Sequence, residues 1–378
     1  EIYTLSLHDA LPIWSADRMS ERYPQLRVNI ANLCSNLQHV VDLAEPYGIK
    51  ITAVIKGFNS LVPCCPSLMK TGCLNLGASR IEHLKAIKEF DVSIPTELVR
   101  IPMLSEAADV VRYADTSLVS ECATIRRLSE CAAAAGKVHK VIIMKDIGDL
   151  REGFIDEDEL KHACALAESL PGIFLYGIGA NFGCYGSICP TEKNLSALAE
   201  SAFAVEKIIG RTLDIVSGGE TSSLPVMLRG EMPEKINNLR TGISLITEAR
   251  YAWDEDFPDR KVPFILRAEI VELKNKPTMP IGEQTAASMN EVRNYVDLGI
   301  RKRAIVALGH QDLGNIQTNL IPVDPKIRIW GASSDHTMLD LEDCDKAYKI
   351  GDTVDFYVNY PGCLFSSMSP TVKKVFTE

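Results

Sequence analysis

The sequence has no long apolar run. Nowhere in its 378 residues does a stretch approach the roughly 18 apolar residues that a membrane-spanning helix needs, so no membrane is expected as a partner. It also has no basic block. With a formal net charge of -10, nucleic acid and anionic lipid surfaces are poor partners. Zinc-type cysteine pairs are missing too. The 11 cysteines are irregularly spaced; Cys64 and Cys65 are adjacent, and Cys184 and Cys189 are five apart. An odd count in a large chain indicates reduced thiols in a cytoplasmic protein. Those four cysteines are expected to be buried small hydrophobes, with no metal. What is present is ordinary for a soluble globular chain: 46% hydrophobic and 24% charged residues, in one large domain or two.

The first 14 residues, Glu1 to Trp14, do not fit the rest. Their core resembles the translation of a common sequencing adapter. Residues 1–18 are therefore set aside as a scar, His8 receives no role, and Met19 is the expected natural start. With no cationic leader and no long apolar core, the stretch is not a convincing signal peptide.

From residue 27 a rhythm begins. A short strand pattern at 27–31 precedes a helical stripe of Leu33, Leu37, Val40, Val41 and Ala44. The run 51–56 is short, apolar and β-branched, which suits a buried strand with Lys56 at its C-terminal tip. Strand-like segments recur at 74–79, 97–101, 117–120, 137–144, 174–179, 214–217 and 239–243. Helical patterns mostly separate them, among them 80–90, 105–113 with Ser105 as candidate N-cap, 156–169 and 191–209. Eight strands in such alternation predict a closed (β/α)8 barrel over residues 19–247. A doubly wound open sheet is the alternative. No Gly-x-Gly-x-x-Gly follows the first strand, which counts against a dinucleotide fold. Past Arg250 the strands at 264–274, 304–308, 327–330 and 353–358 are divided by turn residues and not by helices. This predicts an all-β domain over 248–378, with the boundary near the polar 247–262 stretch.

Barrel enzymes place chemistry at strand tips. Lys56 ends the first strand, and such a lysine can form a Schiff base with a carbonyl or with pyridoxal phosphate (PLP). Arg151 follows the fifth strand, Asn181 the sixth, and Ser217-Gly-Gly-Glu-Thr-Ser-Ser223 the seventh; Arg240 belongs to the eighth. The glycine- and hydroxyl-rich segment can cup a phosphate with backbone N–H groups. Singly, each has an ordinary explanation as a turn or a surface ion pair. A lysine, a phosphate cup and two arginines on one rim together suit a phosphorylated aldehyde cofactor bound as an imine.

The chain resembles the fold-type III PLP enzymes, and among them the alanine/ornithine racemase family. The supporting segments are Val54-Ile-Lys-Gly57, Leu76-Gly-Ala-Ser-Arg-Ile-Glu82, Gly148-Asp-Leu-Arg-Glu-Gly-Phe154, Gly177-Ile-Gly-Ala-Asn181, Ser217-Gly-Gly219, Ser222-Ser-Leu-Pro225, Asn238-Leu-Arg-Thr-Gly-Ile243, Gly331-Ala-Ser-Ser-Asp-His336 and Asn359-Tyr360. The resemblance implies that Lys56 carries PLP and serves as one proton-transfer base. It implies Arg240 against the pyridine nitrogen, where a group that keeps its proton and cannot accept one leaves the ring unprotonated and favours simple proton return. Gly242 and Ile243 would give N–H groups to the phosphate, with a hydroxyl from Thr221 or Ser222. Arg151 would lie near the cofactor phenolate and the substrate carboxylate, and Asn181 against the ring. Racemisation needs a second base. Gly309-His-Gln-Asp312 aligns His310 with the family's catalytic tyrosine, and His336 is the rival. In the family that base comes from the other chain, so a homodimer is implied.

Several positions depart from the family. Glu220 stands where it has asparagine, Thr371 where an aromatic is expected, and Met144 where many alanine racemases carry a modified lysine. The segment after Lys56 lacks the Tyr-Gly-His that helps bind phosphate in alanine racemases, which argues against alanine as substrate. The expectation is a racemase of ornithine or another mid-sized amino acid. Alternatives are a non-catalytic PLP carrier and a decarboxylase or metal-dependent aldolase, the last with Asp335, His336 and Asp343 or Cys344 as its only candidate ligands.

Overall fold

Apolar, β-branched segments too short for helices pair side by side and close into a ring. The computed structural model describes residues 22–246, 261–283 and 295–378. Within them, β1 is Gln25–Asn29, and the barrel strands are β2 Lys50–Val54, β3 Asn75–Ala78, β4 Thr96–Leu98, β5 Thr116–Val119, β6 His139–Met144, β7 Ile173–Ala180, β8 Ile215–Glu220 and β9 Asn238–Thr241. They are all parallel, and β9 pairs back onto β2, so the barrel has no edge. All eight strand-like segments of the sequence are therefore barrel strands. The second sheet contains β10 Phe264–Pro277, β11 Ile300–Val306, β12 Leu320–Pro322, β13 Arg328–Ala332, β14 Thr337–Asp340, β15 Thr353–Val358 and β16 Lys373–Thr377.

Helices cover the barrel because their apolar stripes need burial. Leu33, Leu37, Val40 and Ala44 of helix Ile30–Ala44 are buried, and Asn29 caps its start by accepting from Asn32 N at 2.7 Å. Asp156 and Thr191 cap helices Glu157–Ser169 and Glu192–Ile209 in the same way. Ser105 does not. A 3₁₀ turn, Leu104–Glu106, precedes helix Ala107–Tyr113, and the Glu106 carboxylate takes the Met103 N–H at 3.0 Å. Pairing of Glu106 with Arg100 at 2.7 Å fixes that turn, which local sequence spacing does not reveal.

The C-terminal half differs from expectation in two ways. First, β1 belongs to it: β1 runs antiparallel to β10 and parallel to β16, so the division at residue 247 does not hold for the first strand. Leu26 and Val28 are both fully buried, and only the distant sheet offers them a face. Second, helix Tyr360–Met368 interrupts the strands; Asn359 caps it by accepting from Gly362 N at 3.0 Å, and Pro361 stands at its start. Residues 1–21, His8 and Met19 among them, lie outside the described residues, as does most of the 247–262 boundary. No helix among the described residues is long and apolar enough to cross a membrane.

The barrel interior is not wholly apolar. His139 is buried with Nε2 2.8 Å from Ser117 Oγ. Burial holds its ring well below the ordinary histidine value, at about 4, with Asp115 opposing. A histidine depressed in this way stabilises the fold fully above its unfolded value near 6.5, and loses that contribution as the pH falls toward 4. Unfolding stability should therefore drop by up to about 3 kcal/mol across that window. Urea titrations at pH 7 and pH 4 should show His139→Asn losing markedly less than wild type; equal losses would contradict this origin.

Candidate active site

The C-terminal ends of the barrel strands share one rim, and a cavity of about 450 Å³ opens there. Lys56, Arg151, Asn181, Thr221, Ser222, Arg240, Gly242 and Ile243 all line it. The eight barrel residues singled out in the sequence are thus brought together. Lys56 begins a short 3₁₀ turn just past β2, Lys56–Phe58. Burial lowers its amine from the ordinary lysine range; Arg151 adds to the fall, while Cys184 and Glu152 oppose it.

Arg240 is 3% exposed and reaches across the barrel. Its guanidinium donates to Ser217 Oγ, to the Ala180 carbonyl at 2.7 Å and to Asn181 Oδ1 at 2.7 Å. Gly179 makes room, since a Cβ there would lie 3.2 Å from Arg240 Nη1. Beneath it Glu97 is buried, with Asn75 donating to Oε2 at 3.2 Å; burial raises its carboxyl and Arg240 opposes. Val99 and Leu118 form an apolar patch of the cavity wall.

The segment expected to cup a phosphate is compact. Gly242 N donates to Thr221 Oγ1 at 3.2 Å, and a Cβ at Gly242 would come within 2.8 Å of the Val54 carbonyl. Only a glycine lets the chain approach β2 that closely. Glu220 lies in the same cavity, takes the Phe182 N–H at 3.1 Å and accepts from Ser222 Oγ. Burial raises its carboxyl toward the neutral form, against the pull of Ser222, Phe182 N–H, Arg240 and Arg151. The hydroxyls, N–H groups and cations gathered here together fit a phosphorylated aldehyde with Lys56 within reach.

The chain matches the "Alanine racemase, N-terminal domain" family model over residues 28–249. It belongs to this family. It is 39% identical to the ornithine racemase of Acetoanaerobium sticklandii over 93% of this chain and 99% of that protein. It is 36% identical to the lysine racemase of Thermotoga maritima over 94% of this chain and 98% of that protein. Among solved structures, an alanine racemase from Clostridium difficile 630 superposes with a TM-score of 0.74 at 20% identity, covering 96% of this chain and 97% of that one. That likeness shows the shared fold of barrel and C-terminal β domain.

His310 and His336 do not line the cavity. They share a different edge, on the C-terminal domain: His310 N donates to the Ser333 carbonyl at 3.0 Å, and Ser333 N donates to the His336 carbonyl at 2.8 Å. His310 Nδ1 lies 2.6 Å from the Gly314 carbonyl, an acceptor only, so Nδ1 carries the proton and Nε2 is the basic atom of the neutral ring. The Asp335–His336 candidate for a metal gains no third ligand from Asp343, which Arg301 holds at 2.6 Å. Among the described residues no three His, Cys, Asp or Glu side chains group around a metal position. Cys64 and Cys65 are buried as expected, but Cys184 and Cys189 are exposed, because the loop after β7 lies at the barrel mouth and not in its core.

Sequence reasoning missed Glu152 and Tyr360. Glu152 follows Arg151 directly, and adjacent residues would face apart in regular structure. Here the turn contains Gly148, Leu150 and Gly153 at positive φ, and both side chains face the same wall. Tyr360 comes from the C-terminal domain and packs over Gly57, where a Cβ would lie 2.5 Å from its ring. The Asn-Tyr-Pro start of that helix is the signal available for it.

A lowered lysine has a larger neutral, nucleophilic fraction than a surface lysine at the same pH. Reductive methylation of the cofactor-free protein with formaldehyde at pH 7, followed by peptide mass spectrometry, should label Lys56 several-fold faster than the exposed lysines. Labelling at the surface rate would contradict the lowered amine.

Proposed function

We propose that the chain is a PLP-dependent amino-acid racemase, an isomerase, acting on a non-alanine substrate of the ornithine or lysine class. The observation that carries it is the convergence of Lys56, Arg151, Arg240 and the Thr221–Gly242 cup on one cavity. The near full-length likeness to an ornithine racemase and a lysine racemase supports the substrate class.

In this reading Lys56 holds the cofactor and moves the proton on one face of the substrate Cα. Its lowered amine suits it to take a proton near neutral pH. When bound, PLP withdraws electrons from Cα and so acidifies its proton. Arg240 would hold the ring nitrogen and, with no proton to give up and no lone pair to accept one, would keep electron withdrawal modest. That favours return of the proton over further chemistry. Arg240 fixes Asn181 by donating to its Oδ1, and Asn181 would support the ring. Thr221, Ser222, Gly242 and Ile243 would hold the phosphate, with Glu220 beside them. Arg151 takes the substrate carboxylate or the phenolate side.

The second base acts on the opposite face. In this reading the protein is a homodimer in which His310 or His336 of the partner subunit completes the site; that neither histidine lines the cavity of its own chain supports it. Tyr360 and Gly57 tie the C-terminal domain to the Lys56 turn.

The purified protein loaded with PLP should be yellow, and borohydride should fix the cofactor to the Lys56 peptide. A panel of L-amino acids with chiral analysis of the products should show racemisation of diamino acids in preference to alanine. A Lys56→Ala variant that binds PLP as well as wild type would sink the assignment. A loaded protein that exchanges no Cα proton for deuterium with any amino acid would leave only the non-catalytic carrier.

A further inference from the structure

The Glu152 carboxylate takes two bonds from the Arg151 guanidinium, from Nε to Oε2 and from Nη2 to Oε1, the latter at 2.6 Å. The same Oε1 accepts from Asn181 Nδ2. Asn181 turns its other end to Arg240, whose Nη2 donates to Oδ1 at 2.7 Å. One carboxylate therefore stands between two guanidiniums of the cavity wall, joined to one directly and to the other through an amide. A pair of this kind on an open surface would contribute little. The Glu152 side chain is only 13% exposed, so this pair is held against the wall.

The turn that carries the pair is itself fixed. Asp146 Oδ1 accepts from Gly148 N at 2.8 Å and Leu150 N at 3.1 Å. The buried Asp149 carboxylate accepts from Cys184 N at 3.3 Å, Tyr185 N at 3.1 Å and Gly186 N at 3.1 Å. The loop after β6 and the loop after β7 are thereby locked together.

We propose that Glu152 is a positioning residue of the reaction: its carboxylate aims Arg151, orders Asn181 under Arg240, and partly cancels the positive charge that Arg151 places beside Lys56. This rests on the reading of Lys56 as the cofactor-bearing lysine. The charged and titratable groups acting on Lys56 are Arg151 and Arg240, which lower its amine, and Cys184 and Glu152, which raise it. Glu152 is the only full negative charge in that set. Replacing it with a neutral isostere leaves Arg151 uncancelled.

The test is the pH midpoint of Lys56 reductive methylation in the cofactor-free full-length protein, followed by peptide mass spectrometry. In Glu152→Gln the midpoint should move down by about one pH unit, the size of shift a nearby charge produces. Glu152→Asp keeps the charge and should stay close to wild type. The visible absorbance of the PLP-loaded protein should follow the same order, with the Glu152→Gln midpoint below the other two. Equal Lys56 midpoints in wild type and Glu152→Gln would overturn the proposal. A downward shift of equal size in Glu152→Asp would overturn it as well, since the charge would not be the agent. Should the wild-type protein bind no PLP, the cofactor reading fails, and the Lys56 titration of the cofactor-free protein still decides whether Glu152 governs that amine.

Discussion

A charged guanidinium buried inside a closed barrel is the constraint around which the candidate site is arranged. Arg240 lies on the eighth barrel strand with almost no exposure, so its hydrogen-bonding groups need partners where water does not reach. Ser217 and the Ala180 carbonyl come from the two preceding strands, and Asn181 from the loop just beyond. Gly179 supplies the space. Ser217 in turn donates to Asn238, which reaches Thr52 on the first barrel strand at 3.2 Å. One side chain thus links strands on both sides of the closure, and its position fixes the floor on which any ligand must lie.

The carboxylates around it have different roles. Glu97 lies beneath, fully buried, and offsets the charge without touching it. Glu220 shares the phosphate cup and is pushed toward its neutral form. Glu152 stays at the mouth and binds Arg151. Their environments separate them: depth raises the Glu97 and Glu220 carboxyls, while Glu152 is bound by a cation at the mouth.

The second domain reaches the site through a small contact. Helix Tyr360–Met368 lies on the Lys56–Phe58 turn, with the Tyr360 ring against Gly57 and Asn59 Nδ2 3.4 Å from the Ser367 carbonyl. Phe58 and Phe264 stack their rings at 5.5 Å across the same boundary. The lysine turn is therefore held from the barrel side and from the C-terminal side at once. Strand β1 adds a third tie, since the chain starts in the C-terminal sheet before it enters the barrel.

The sequence by itself determined the barrel and most of its rim. Eight short strand-like runs, mostly separated by amphipathic helices, leave few ways to bury their faces, and a residue at a strand's C-terminal end must lie on the rim whatever else happens. That is why Lys56, Arg151, Asn181, Thr221, Ser222, Arg240, Gly242 and Ile243 could be named together. What local pattern cannot encode is which distant surface covers a given strand or side chain. Only the tertiary structure decided that β1 leaves the barrel for the C-terminal sheet. It alone brought Tyr360 over Gly57, turned Glu152 to the same side as Arg151, and exposed Cys184 and Cys189 at the mouth. It also set His310 and His336 away from the cavity of their own chain. These outcomes depend on long-range packing and on backbone turns such as that at Leu150, and neither leaves a periodic trace along the chain.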